Sequence, residues 1–413
     1  MRGGCGLGRR VTEEEEEEEF YDNGVARLRV EGSCRLVSMH TQQGRKGVNQ
    51  DAMTLWKDFT GEKDTIFCGV FDGHGPLGHR VARHVRDVLP VKLSEKYHSL
   101  QLPGADSLFA ACAEEEDDDG GGDLNGSGSV YRYFSSWKAG FLKAFKEVDD
   151  QLCRGANIDC ICSGTTAVSV VKQNDHLMIA NLGDSRAVLC TRDDSNQLSP
   201  IQLTVDLKPN LPNEASRIMK CKGRVFALEE EPEVHRVWLP DENCPGLAMA
   251  RAFGDFCLKE FGIISTPQVT YRKLTERDEF VVLATDGVWD VLSNEEVVKI
   301  VSSARRRSEA AKKLVKKAVR AWEIKHPMSR IDDCAVVCLF LKPEPGAQVD
   351  GGKRYRDLST SGSFTTAMNG GASKSFDRTK EVGVGEEWRP LDSVRANSRF
   401  AGLLKSCSGR QVG

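Results

Sequence analysis

Apolar and polar positions follow two rhythms along the chain, and the changes of rhythm mark its elements. Short apolar runs at Thr65–Phe71, Thr165–Val171, His176–Ala180, Phe280–Ala284 and Ala335–Leu341 predict strands. Ala187–Cys190 reads as the strand returning after the turn Leu182-Gly-Asp-Ser-Arg186, which makes a hairpin with His176–Ala180. Val81, Val85, Val88 and Leu89 recur at helical spacing and predict a helix over His79–Lys96. Phe141, Phe145, Val148 and Leu152 do the same for Trp137–Leu152. Ser293-Asn-Glu-Glu296 is a capping box, in which Ser and Glu side chains satisfy each other's free backbone N–H groups; it opens a helix over Glu295–Arg305. A last helix over Ser308–Lys325 is halted by Pro327. Hairpins group together and helices come in separate blocks, so the pattern predicts an α+β fold with antiparallel sheets rather than alternating α/β.

The rhythm lapses in three places. Glu13–Glu19 is an unbroken acidic run that repels itself, so residues 1–32 read as a disordered acidic tail. Residues 112–130, rich in Glu, Asp and Gly, read as a flexible loop between two helices. Residues 343–413 read as a mostly disordered C-terminal tail, with Trp388–Lys405 either a short docking helix or without structure. What remains, residues 33–342, is one domain.

Charge and cysteine content narrow the function classes. The balance of 57 Lys+Arg against 61 Asp+Glu gives −4 and argues against a nucleic-acid binder, which carries a basic excess. No apolar run nears the roughly 20 residues of a membrane span. The Gly- and Arg-rich start has no apolar h-region, so no secretory signal is expected. Cys5 beside Arg9 and Arg10 is a candidate lipidation site, but Arg2 stands where myristoylation needs glycine. The expectation is an intracellular protein, in cytosol or nucleus, and a monomer. The 14 cysteines are scattered, and Cys153, Cys160 and Cys162 have no His at zinc-finger spacing, so free thiols are expected.

Candidate chemistry comes from acids at strand ends. One apolar strand runs into Phe71-Asp-Gly-His-Gly75 and another into Ala284-Thr-Asp-Gly-Val-Trp-Asp290. The pair Asp332-Asp333 directly precedes a third strand. Asp-Gly is also an ordinary turn signal. Several such aspartates brought together repel one another unless a cation lies among them. An oxygen-only set suits hard ions such as Mg²⁺ or Mn²⁺. Two ions about 3.5–4 Å apart can lower the pKa of a shared water and neutralise a phosphate. Residue chemistry alone thus reaches a metal-assisted phosphoryl hydrolase and stops there.

Six motifs carry the reading further: Phe71-Asp-Gly-His-Gly75, Ser163-Gly-Thr-Thr-Ala167, Asn181-Leu-Gly-Asp-Ser-Arg186, Leu247-Ala-Met-Ala-Arg-Ala-Phe-Gly-Asp255, Ala284-Thr-Asp-Gly-Val-Trp-Asp290 and Asp332-Asp-Cys-Ala335. In this order they resemble the metal-dependent Ser/Thr protein phosphatases of type 2C. Gly47-Val-Asn-Gln-Asp51 and Leu207-Lys-Pro-Asn-Leu-Pro-Asn-Glu-Ala215 resemble the plant branch. The resemblance implies a four-layer αββα sandwich, two antiparallel sheets flanked by helices. It implies hydrolysis of phosphoserine and phosphothreonine in proteins, by attack of a water bridging two Mg²⁺ or Mn²⁺ ions. Kinases or receptors are further candidate partners. Asp72 resembles the carboxylate that bridges both metals, and Gly73 would offer its carbonyl. Asp286 and Asp332 resemble further ligands, and Asp51 a residue holding metal-bound water. His74 resembles the general acid. Asp159 is the candidate for a third, weakly held ion, although its local spacing departs from the family pattern.

Two departures stand out. Gln50 occupies a position where many members have a metal-binding glutamate, and Lys46 one where many have a phosphate-gripping arginine. Lysine supplies a point charge without arginine's bidentate fork, and Arg45 is a candidate to compensate. The departures motivate an alternative reading, a catalytically weak or pseudophosphatase that binds phosphoproteins. Asp184 and Arg186 read as supports of the hairpin turn, and Asp255 and Trp289 as structural.

Overall fold

In strand Asp278–Ala284, successive side chains enter two different cores: Phe280, Val282 and Ala284 one, Val281 and Leu283 the other. A strand apolar on both faces needs a second sheet on one side and helices on the other. The computed structural model of the chain, which describes residues 20–22, 26–29, 36–100, 128–155 and 157–343, has that arrangement.

Among the described residues, the first main sheet runs β1 (Phe20–Asp22), β2 (Ala26–Arg29), β4 (Ala52–Lys57), β5 (Ile66–Phe71), β8 (Ala167–Gln173), β9 (His176–Leu182), β16 (Gln268–Lys273). The second runs β11 (Leu198–Gln202), β10 (Arg186–Arg192), β17 (Asp278–Ala284), β18 (Cys334–Phe340), β3 (Val37–Gln42). Met53, Leu55, Val70, Val168 and Ile179 of the first sheet meet Met39, Leu189, Leu283 and Val337 of the second in the middle core. Helices α1 (Gly78–Leu100) and α2 (Gly128–Gly155) cover the first sheet with Leu89, Leu93, Trp137 and Phe141. Helices α6 (Asn294–Ser302) and α7 (Ala310–Lys325) cover the second with Val297, Leu314 and Trp322. This is the expected αββα sandwich. The capping box at Ser293 is present, with Ser293 Oγ accepting from Glu296 N and Glu296 accepting from Ser293 N.

Two small sheets complete the domain. β12 (Arg224–Ala227), β13 (His235–Trp238) and β14 (Pro245–Leu247) pack with helix α3 (Pro212–Lys220) around a core of Ile218, Val237 and Leu247. β6 (Gly73–His74), β7 (Gly164–Thr165) and β15 (Phe253–Gly254) form a short ladder just past the end of β5.

Several expectations are corrected. β9 and β10 are not a hairpin: β9 has β8 and β16 on its two edges, so β10 has no free edge there and crosses to the second sheet. Thr165–Val171 is not one strand, because Thr166 leaves the ladder to donate its N–H to the Asp72 carbonyl. The expected tail over residues 1–32 contains β1 and β2. There Ala26 and Leu28 are buried while Arg27 pairs with Asp87 of α1. β2 lies parallel to β4, so the first sheet is not wholly antiparallel. The expected loop over 112–130 ends earlier, since α2 begins at Gly128. The acidic run Glu13–Glu19, the rest of that loop up to residue 127, Cys5 and the segment Trp388–Lys405 lie outside the described residues.

Candidate active site

The strand ends of both sheets open into one cleft. Asp72 follows β5, and its backbone is latched to the neighbouring strand: its N–H donates to Thr166 Oγ1 at 3.1 Å, and its carbonyl accepts from Thr166 N at 2.9 Å and Thr165 Oγ1 at 3.0 Å. Asp286 follows β17 and opens the short helix α5 (Asp286–Trp289). Asp51 precedes β4 and is 1% exposed; its Oδ2 accepts from Thr285 Oγ1 at 2.8 Å, while its Oδ1 has no partner. Asp332 precedes β18 and is ion-paired with Lys46. Its neighbour Asp333 turns the other way and accepts from Gly44 N at 2.7 Å and Gln50 N at 2.8 Å, fixing the loop that carries Lys46. Gly73 sits where backbones nearly touch: a Cβ there would lie 2.5 Å from Gly78 O and 2.6 Å from Gln50 O.

Electrostatics confirm that these acids sense one another. Burial, then the charges of Asp286 and Asp51, push Asp72 well above the usual carboxylate range. Burial, then Asp333, does the same to Asp51. Asp286 is pushed up to about 8 by burial and by Asp332 and Asp184. Isolated carboxylates in such a place hold protons because their anions are poorly solvated and mutually repelled.

His74 faces the same cleft from the short ladder. Its Nε2 lies 2.6 Å from Asp255 Oδ2, and its Nδ1 has no partner. Asp255 is 2% exposed and held in a left-handed conformation (φ 50°) between β15 and the short helix α4 (Phe256–Lys259). Burial lowers the imidazole pKa, but the charge and hydrogen bond of Asp255 outweigh it, and the net shift is upward.

Comparison with known proteins decides the family. Residues 35–323 match the family described as protein phosphatase 2C. The chain is 57% identical over 367 residues to the rice protein named "Probable protein phosphatase 2C 73", covering 88% of this chain and 85% of that one. It is 52% identical over 349 residues to "Probable protein phosphatase 2C 33" of Arabidopsis thaliana, covering 78% of this chain and 71% of the relative. The chain belongs to the protein phosphatase 2C family. The fold agrees with the crystal structure of a serine-threonine phosphatase 2C from Toxoplasma gondii, at TM-score 0.60 and 24% identity over 74% of this chain and 94% of that chain.

Phosphatases of the 2C family are generally dependent on Mg²⁺ or Mn²⁺. Among the described residues, no three His, Cys, Asp or Glu side chains converge as a ready-made cage for one ion. The donors nevertheless fit a hard ion that keeps part of its water shell. The set is all oxygen, Asp51 Oδ1 is buried without a hydrogen-bond donor, and the carboxylates stay raised despite the positive charge of Lys46 and Lys208 nearby.

In this 2C-family phosphatase the remaining candidates fall out as follows. Lys46 lies beside Asp332, and although burial works against its charge, Asp332 and the other acids raise its pKa. Arg45 does not reach the cleft; it pairs with Glu323 of α7 at 3.4 Å. Gln50 donates from Nε2 to Gly75 O at 3.0 Å, tying the loop of Lys46 to that of His74. Asp159 is exposed and accepts from Ile161 N, capping its own turn. Asp184 is not a hairpin support: it is 1% exposed and holds Lys208 at 2.6 Å. Arg186 binds Asp206 and stacks its guanidinium over Trp289, 5.0 Å from the ring centroid. Sequence reasoning missed Lys208, which stood inside the quoted Leu207–Ala215 motif, and missed Asp255 as the partner of His74.

Proposed function

We propose that this protein serine/threonine phosphatase removes phosphate from phosphoserine and phosphothreonine in the cleft formed by Asp51, Asp72, Gly73, Asp286 and Asp332, with two Mg²⁺ or Mn²⁺ ions held there. The observation that carries this reading is the approach of strand-end aspartates from both sheets: the charges of Asp286, Asp51 and Asp332 raise the pKa of Asp72, and that of Asp332 raises the pKa of Asp286. When bound, such ions supply the positive charge that a phosphate dianion needs and lower the pKa of a water. Asp51 is fixed by Thr285, which leaves its Oδ1 to accept from water. Lys46, on the loop braced by Asp333, offers its ammonium to the phosphate from the rim. Asp255 holds Nε2 of His74, so the proton at Nδ1 is the one available to the departing Ser or Thr oxygen. Phosphorylated signalling proteins inside the cell are the partners this reading implies. Among the described residues, no helix is long and apolar enough to cross a membrane.

The test is turnover of a phosphoserine and a phosphothreonine peptide with Mg²⁺, with Mn²⁺ and with chelator. Asp72→Asn and Asp286→Asn should each lower kcat/KM by at least about 100-fold, in line with losses of charge-stabilising groups elsewhere. Activity that survives complete chelation, or variants that match the parent, would overturn the assignment. A binding-only protein would show no turnover in the parent.

A further inference from the structure

Every cysteine among the described residues is a free thiol. Cys162 and Cys257 stand with their Sγ atoms 3.4 Å apart. They lie on two segments already tied together, since Asp255 N donates to Ser163 O, Phe256 N to Cys160 O and Cys257 N to Ile161 O. Cys162 stands two residues before Gly164, which opens β7 and pairs with His74, and Cys257 follows Asp255 by two residues. Each cysteine therefore lies two residues along the chain from a partner of His74, Cys162 from Gly164 and Cys257 from Asp255.

We propose that Cys162 and Cys257 form an oxidation site at which a peroxide closes an intramolecular disulfide and disturbs the alignment of Asp255 with His74. A disulfide is about 2.05 Å long, so the sulfurs must approach by about 1.4 Å from 3.4 Å. Cys162 is partly exposed and Cys257 only 2%, so Cys162 meets the oxidant first. Its sulfur attacks the peroxide: an S–O bond forms, the O–O bond breaks, and the first water leaves with the thiol's proton. Cys257 sulfur then attacks Cys162 sulfur: the S–S bond forms, the S–O bond breaks, and hydroxide leaves with the Cys257 proton as the second water. Two thiols are oxidised by two electrons and one peroxide is reduced to two waters. The hydrogen bond between the two sulfurs lowers the Cys162 pKa despite burial, while Cys257 is raised. The greater exposure of Cys162 makes it the thiol that attacks first and leaves Cys257, in contact with it, as the resolving thiol.

The neighbourhood has no slack to absorb the closure. A Cβ placed on Gly164 would lie 2.2 Å from Asp255 Oδ2 and 2.7 Å from His74 Nε2. Pulling Cys162 toward Cys257 shifts the Ser163–Gly164 segment against that contact. The effect on turnover rests on the proposed role of His74, but the bond itself does not.

The test uses the full chain loaded with Mg²⁺, treated with hydrogen peroxide, then with catalase. Peptide mapping under non-reducing conditions should find Cys162 linked to Cys257. Phosphopeptide turnover should fall at least about tenfold, as expected for a misplaced acid, and return with dithiothreitol. Cys162→Ser should keep its turnover before and after peroxide, and Cys257→Ala serves as the second variant. The proposal is overturned if no linked peptide forms, or if Cys162 links instead to the nearby Cys244. It is also overturned if the bond forms with turnover unchanged, or if Cys162→Ser loses activity as the parent does. Mapping reads the bond without turnover, so an inactive parent would refute the proposed function while the bond is judged separately.

Discussion

His74 and Asp255 meet in a single 2.6 Å contact between residues from distant parts of the chain. Burial by itself would strip the imidazole of its proton; the carboxylate of Asp255 outweighs that and keeps it protonated to higher pH than an ordinary histidine. In the role proposed for it, His74 acts as an acid in its protonated form, so the activity should fall on the alkaline side as it loses its proton. Asp255→Asn removes the charge and keeps the shape. The alkaline limb of the kcat–pH profile should therefore move to lower pH, and kcat at pH 8 should fall more than at pH 6. An alkaline limb that stays in place would assign it to another group. At this scale the sequence displayed His74 in a recognisable motif. Asp255, 181 residues away, carried no sign of the partnership.

The elements place these residues by being apolar on both faces. Leu283 of β17 is fully buried in the middle core, one strand turn from Asp286. Leu283→Ala should lower stability by about 2–5 kcal/mol, the usual range for a cavity at a closed site. Chemical denaturation with and without Mg²⁺ would measure it, with an unchanged slope against denaturant. A loss below about 0.5 kcal/mol would mean that the two sheets are not closely packed at this position. Strand positions were legible here because short, nearly unbroken apolar runs such as Phe280–Ala284 leave little alternative. The β9–β10 connection was not, because a turn motif between two strands looks the same whether the second strand returns to the first or passes to the facing sheet. β2 was missed because four residues beside an acidic run make a weak signal, and its burial depends on the edge of β4 being open.

At the scale of the whole molecule, a cluster of acids is held together by a core that would fold more readily without it. Burial and mutual repulsion raise Asp51, Asp72 and Asp286, the last to about 8. An acid whose pKa is higher in the folded chain binds more protons there than in the unfolded chain, so stability falls as pH rises between the two values. In chelator, the melting temperature should therefore decline from pH 5 to pH 8. Saturating Mg²⁺ should raise it more at pH 8 than at pH 5, because a cation offsets repulsion only between ionised groups. A metal-induced rise equal at both pH values would show that the acids do not repel one another in the fold. The net charge of −4 conceals this concentration. The sequence by itself determined the strand ends, the type of acid at each, the ordered motifs and hence the family, because apolar periodicity and short-range spacing are properties of the chain. Only the tertiary structure decided that Lys208 sits on Asp184, that Arg45 turns away to Glu323, and that Asp255 holds His74. Those contacts join residues far apart in the chain, and their energies arise only once two sheets have packed and excluded water.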